Sequence, residues 1–200
     1  MQLSKRRSAI ALALLALALS TLACNAAGLS RNGAAAPQAP AVEVSENALE
    51  SFNEKWREIN LATPGGPFTV TFTEAELTSA VHAGIAQAEA DTGQPLPIQN
   101  VQVALRDGSV QVFGQVKVDP LTMNGQITAV PYIDTAGDVR LDVTSAEFGM
   151  FEVDQSLLNS AVASVENSIN QPIRSSPGNI NLTNVTVTDG SLTVSGNITP

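Results

Sequence analysis

One stretch of the chain occurs twice, and the duplication limits the possible folds more than any other feature. The first copy, residues 77–114, opens LTSAV and closes VALRDGSVQVFG; the second, residues 158–196, opens LNSAV and closes VTVTDGSLTVSG. Both closing segments read V-x-Φ-x-D-G-S-Φ-x-V-x-G, where Φ is Leu or Val. Asp-Gly between two alternating runs predicts a β-hairpin, because a tight turn needs residues that tolerate positive φ. Each copy therefore reads as a helix-like opening followed by a hairpin. Two copies are too few to stack as a solenoid, so the repeat predicts one domain with internal pseudo-symmetry.

The segments around the repeat have their own signals. FTVTF (68–72) alternates as a short strand, and Thr73-Glu74-Ala75-Glu76 is a capping box that starts the first repeat helix. The dipole of that helix accounts for its two N-terminal acids without any acid–base chemistry. The helix runs to about Asp91, where Thr92-Gly93 and Pro95 stop it. Its inner stripe is Leu77, Ala80, Val81, Gly84, Ile85 and Ala88, a slim face. Either the sheet approaches it closely or a gap remains for something else to fill. Residues 98–106, 109–118, 121–132 and 138–148 alternate as strands with short connections, an antiparallel meander. Gly114 and Gly125 lie inside strands, where glycine marks a bulge or bend and hence a curved sheet. The second repeat helix takes Asp154 as N-cap, carries Leu158, Ala161, Val162, Val165 and Ile169 inward, and ends at Gln171-Pro172. The fold class is α+β, a curved antiparallel sheet wrapped on a long helix, with the helix-plus-hairpin unit pseudo-repeated.

The N-terminus belongs to targeting. Lys5, Arg6 and Arg7 precede an uncharged apolar run over 9–19, and Ala23 comes just before the single cysteine, Cys24. This is a secretory signal, too short for a comfortable membrane span. It resembles a bacterial lipobox, in which the cysteine is diacylated and becomes the first mature residue. Thr21 departs from the usual branched aliphatic residue, and a plain signal peptide with an incidental cysteine is the alternative. Loss of residues 1–23 leaves 7 Lys and Arg against 19 Asp and Glu, a net charge of −12. Such a chain does not hold nucleic acid or an anionic bilayer electrostatically. Its hold on a membrane would come through the Cys24 lipid anchor.

Residues 24–44 are rich in Ala, Pro and Gly and read as a flexible tether. Over 45–62, Leu49, Phe52, Trp56 and Ile59 form the stripe of an amphipathic helix whose polar face is mainly acidic. Interfacial helices favour Lys and Arg, so this one is expected to pack on the domain that fills 67–200. His82 is the only histidine and has no cysteine as co-ligand, so neither a zinc site nor a catalytic dyad is expected. No phosphate-binding loop, dinucleotide fingerprint or nucleophile elbow is present, and no cofactor is expected. Asn181, Asn184 and Asn197 head glycosylation sequons, which arise readily in alternating Asn/Thr strands and are discounted in a bacterial setting.

TFTEAEL (71–77), DGSVQVFG (107–114) and FGMFEVD (148–154), in this order of elements, resemble the YpmS and LmeA-like group of envelope proteins. More distantly they resemble the tubular lipid-binding superfamily. The resemblance covers about 67–200. It implies a strongly curved sheet around a long helix, and an apolar groove that takes a phospholipid or glycolipid. The expected function is a non-catalytic, membrane-tethered extracytoplasmic lipoprotein. Its groove candidates are Leu77, Val81, Gly84, Ile85, Ala88, Leu158, Val162 and Val165. The alternative is a structural or interaction lipoprotein with a closed core that meets an envelope protein partner.

Overall fold

The computed structural model describes residues 41–61, 65–96, 98–118, 121–148 and 180–198, with positions 159, 162, 163, 166, 169, 170, 173 and 174. Cys24, Asp154, Leu158, Val165 and most of the expected tether lie outside the described residues. The order is α1 (Glu46–Leu61), β1 (Pro67–Thr73), α2 (Glu74–Thr92), β2 (Ile98–Arg106), β3 (Ser109–Val118), β4 (Leu121–Ile133) and β5 (Val139–Phe148), then β6 (Ile180–Thr188) and β7 (Ser191–Ile198). The positions described within 159–174 are helical and are called α3.

All pairings are antiparallel, and the strands divide between two sheets, β1-β7-β6 and β2-β3-β4-β5. The single curved sheet of the expectation is therefore two sheets, and the repeat explains the division. Each hairpin shares a sheet with the strand that precedes the other copy's helix. Thus β1 joins β7 directly, while β5 reaches β3 through β4. The edges that a single sheet would have to join, β2 and β5, are occupied by helix side chains.

Local chemistry sets the boundaries. Thr73 is the N-cap of α2, its hydroxyl accepting from Glu76 N while Glu76 Oε2 accepts from Thr73 N at 2.8 Å. Gly93 ends the helix in the left-handed region at φ 68°. At the first hairpin tip Asp107 and Gly108 both have positive φ, 51° and 75°, the backbone of a type I′ turn. Gly114 lies opposite a bulge, because the β2 register passes from Gln99 to Gln102 while β3 advances only from Gln115 to Phe113. At Gly125 the pairing with β3 and β5 runs on, and the reason for glycine is space: a Cβ there would lie 2.5 Å from the Phe148 ring. Beyond the expected stop at Pro172, Ile173 and Arg174 are helical. Ile173 is buried in the core and Arg174 pairs with Asp138.

The larger apolar cluster is built on Phe72, Val139, Ile173, Leu182 and Val194, with Phe52, Trp56 and Leu77 packed against it. Phe52 and Trp56 of α1 place their rings 5.1 and 5.8 Å from that of Phe72, so the aromatic stripe of α1 faces the domain. A smaller cluster of Val103, Leu105 and Val187 joins the two sheets. The hairpin tips meet beside it, where Gly190 N donates to Leu105 O at 2.9 Å. Chain order aside, the last residues of the expected tether are docked: Val42 N donates to Gln102 Oε1 at 2.9 Å.

Candidate functional site

The site is organised by how α2 and α3 attach to the four-stranded sheet. On α2, Glu74, Thr78 and His82 recur every four residues and so share one face. They meet alternate residues of the β2 edge: Leu105 N donates to Glu74 Oε1 at 2.7 Å, Val103 N donates to Thr78 Oγ1 at 3.0 Å, and His82 Nε2 lies 2.7 Å from Val101 O. Four helical residues advance about 6 Å and two strand residues about 6.7 Å, so the two ladders stay in step over three rungs. The helix thereby satisfies an edge that would otherwise recruit another strand.

The same device recurs at the other edge. Leu141 N donates to Glu166 Oε1 at 2.8 Å, and Asn170 both accepts from Val139 N and donates to Val139 O at 2.8 Å. In each junction the helix glutamate also takes an arginine of the strand, Arg106 for Glu74 and Arg140 for Glu166. Arg140 further binds Asp134 at 2.9 Å. That bond, with backbone donation from Asp138, holds the Asp134 carboxyl below its usual range. These acids are structural anchors.

The expected inner stripe of α2 is corrected by this arrangement. Its fully buried residues are Glu76, Thr78, Ser79 and Ala88, whereas Val81 is 37 % exposed and Leu77, Ala80, Gly84 and Ile85 are half-buried. The helix lies along a sheet edge and against α1, so the side chains that complete β2 and hold α1 are the enclosed ones. Burial alone would raise the Glu76 pKa. Hydrogen bonds from Lys55, Ser51 and the Thr73 backbone, with the Lys55 charge, outweigh it and hold the group below its ordinary 4.5.

Between the two helices lies the inner face of the four-stranded sheet. Register places on one face Val103 and Leu105 of β2, Val110, Val112 and Val116 of β3, Met123, Ile127 and Ala129 of β4, and Leu141, Val143, Ala146 and Phe148 of β5. The face is uniformly apolar but unevenly covered. At the hairpin-tip end Leu105 is 0 % exposed, and Leu77 packs against both apolar clusters. Farther along, Val112, Met123, Ile127, Val143 and Ala146 are only half-buried. On α2, Val81 is 37 % exposed, and a Cβ placed on Gly84 would meet nothing within 4 Å. Val162, one turn before Glu166 on α3, is half-buried. The half-covered stripe lies between two buried sets, Val103 and Leu105 at the hairpin-tip end and Val116 and Phe148 at the far end.

Sequence reasoning places Leu77, Val81, Gly84 and Ile85 at this space and encloses Ala88 with them, although Ala88 is 2 % exposed. It does not name the sheet residues. Their signal is the alternation of β3, β4 and β5, which becomes a surface only once the register is known. Among the described residues no group of three His, Cys, Asp or Glu is placed to hold a metal ion. Among them too, no helix is long and apolar enough to cross a membrane.

No curated protein matches the sequence. The model of the LmeA-like phospholipid-binding family does match it over residues 25–197, from just after Cys24 into β7, and the chain belongs to that family.

Proposed function

We propose that the chain binds a phospholipid by its acyl portion along the apolar space between α2 and α3, without catalysing a reaction on it. The observation that carries this reading is the unfilled stripe at Val81 and Gly84 over half-buried sheet residues, in a chain of a phospholipid-binding family. Each methylene removed from water contributes about 0.8 kcal/mol, so about ten of them would hold a chain firmly before ordering costs. Cys24 would carry the lipid anchor that tethers the protein to the outer surface of a bacterial membrane.

The test is organic extraction of the purified protein followed by mass spectrometry, paired with uptake of a fluorescent acyl probe. Co-purified lipid, or saturable uptake by the emptied protein, is the expected result. A lipid-free protein that takes up no probe would overturn the reading in favour of an interaction lipoprotein with an envelope partner. For the anchor, Cys24→Ser is expected to abolish labelling by a radioactive fatty acid; unchanged labelling would refute it.

A further inference from the structure

We infer that the ring of Phe148 is the far end wall of the acyl site and sets the length of chain it takes, an inference that rests on the acyl-binding reading above. Two glycines make the wall possible. Gly114 of β3 and Gly125 of β4 pair with each other, and Phe148 of β5 pairs with Gly125. A Cβ on Gly125 would lie 2.5 Å from Cδ1 and 2.6 Å from Cε1 of Phe148, so the ring lies over the bare backbone of that glycine. An aromatic ring laid across a strand glycine restores packing that the missing side chain forfeits. On the other side of the pair, a Cβ on Gly114 would meet Val101 Cγ2 at 3.7 Å. Val101 O in turn lies 2.7 Å from His82 Nε2 of α2.

A strip across the sheet, from α2 to β5, is thus filled by side chains of the two flanking strands that cover the glycines of the inner two. Val101 and Phe148 are both buried, as is Val116, the next inner residue of β3. One row nearer the hairpin tips the register aligns Val112, Ile127 and Ala146, all half-buried. One row farther, Leu105 and Ala129 are buried again. The half-covered row therefore has a wall on each side.

The helices say which way a chain would lie. The side chains of α2 hold to the β2 edge and those of α3 to the β5 edge, so the space between them runs along the strands. A strip filled across the strands ends it. From Ala129 to Gly125 is four residues of β4, about 13 Å, which is shorter than an extended long-chain acyl group. The near wall is made by several aliphatic residues and the second sheet. The far wall depends on one large ring, and that makes Phe148 the residue that limits chain length.

The experiment uses the full chain loaded with a fluorescent acyl probe, displaced by lysophosphatidylcholines whose single chain grows from about eight to about sixteen carbons. Each added methylene is expected to strengthen displacement about fourfold until the chain meets the wall, and the gain should stop below about twelve carbons. Phe148→Ala should carry the gain on through about two or more further carbons, with the shortest chains displacing as before. Phe148→Leu, which keeps an apolar side chain at a buried place, should carry it on by less. Ala146→Leu adds a branched side chain to the half-covered row and should end the gain at a shorter chain. A ring that only stabilised the fold would change displacement at every length alike. If Phe148→Ala does not fold, the opposite shifts in Phe148→Leu and Ala146→Leu decide. A gain that continues to the longest chain in the unaltered protein, or an unmoved stopping point in the Phe148 variants, overturns the wall and leaves acyl binding standing. Failure of every chain to displace the probe, with no saturable uptake of the probe itself, overturns both.

Discussion

Two parts of the apolar inner face are made of similar residues and differ in what covers them. At the hairpin-tip end Phe72, Val139, Leu182 and Val194 pack into one cluster and Leu105 into the smaller one; Phe72 is 2 % exposed. In mid-sheet Val112, Ile127 and Ala146 are only half-covered, before Val116 and Phe148 are buried again farther along. The first part has the composition and burial of a core. The second has the composition of a core without its full burial, which is costly unless a ligand supplies the missing contacts.

The largest expected effect tests the sealed end. Phe72→Ala removes the ring on which Phe52 and Trp56 pack, and should cost about 3–5 kcal/mol in denaturant unfolding. A loss below about 1 kcal/mol would mean that this end is not the core. The helix junctions come next. Glu166→Ala leaves Leu141 N without its acceptor and Arg140 with Asp134 as its remaining close one, and Asn170→Ala strands both backbone groups of the buried Val139. Each should cost about 1–3 kcal/mol by the same measurement. If α3 held to β5 by apolar packing alone, both variants would unfold like the unaltered chain.

A smaller effect is expected from acid. The Glu76 carboxyl titrates below its ordinary 4.5 in the folded chain. Its stabilisation is complete above the unfolded pKa and is lost as pH falls through the lower, folded one. Stability should therefore decline below about pH 4.5, and Glu76→Gln should flatten part of that decline while lowering stability at neutral pH. An identical slope in the variant would show that other acids carry the effect.

The legible parts of this fold are those decided within a few residues. The capping box at Thr73, the left-handed Gly93 and both Asp-Gly tips depend on local backbone chemistry, and the sequence announces them. The hidden parts depend on partners distant in sequence. Thr78 and Glu74 read as ordinary polar helix residues until β2 arrives at their side with unpaired N–H groups. For the same reason the helix presents a slim stripe whose burial cannot be inferred from periodicity: α2 faces an edge, and amphipathic spacing reports packing on a face. The division into two sheets is likewise a matter of pairing, which alternation does not encode. Gly84 is legible as a small residue; only the structure distinguishes open space there from close packing.

That distinction gives the smallest expected change in stability and the sharpest test of the comparison. Gly84 and Ala88 lie one turn apart on the same side of α2 and both read as members of one slim stripe. The structure separates them, because a Cβ on Gly84 meets nothing within 4 Å while Ala88 is 2 % exposed. Ala88→Leu should force a branched side chain into occupied volume and cost about 1–3 kcal/mol. Gly84→Leu adds its side chain to open space and replaces a poor helix former. It should leave stability unchanged or raise it by up to about 1 kcal/mol. Its effect should appear instead in bound lipid, because isobutyl would occupy the path of the acyl chain. Thermal unfolding and lipid content measured on one preparation of each variant distinguish these outcomes. A Gly84→Leu protein that is markedly destabilised would mean that the space is closed. One that is stable and retains a full complement of lipid would place the chain elsewhere on the molecule.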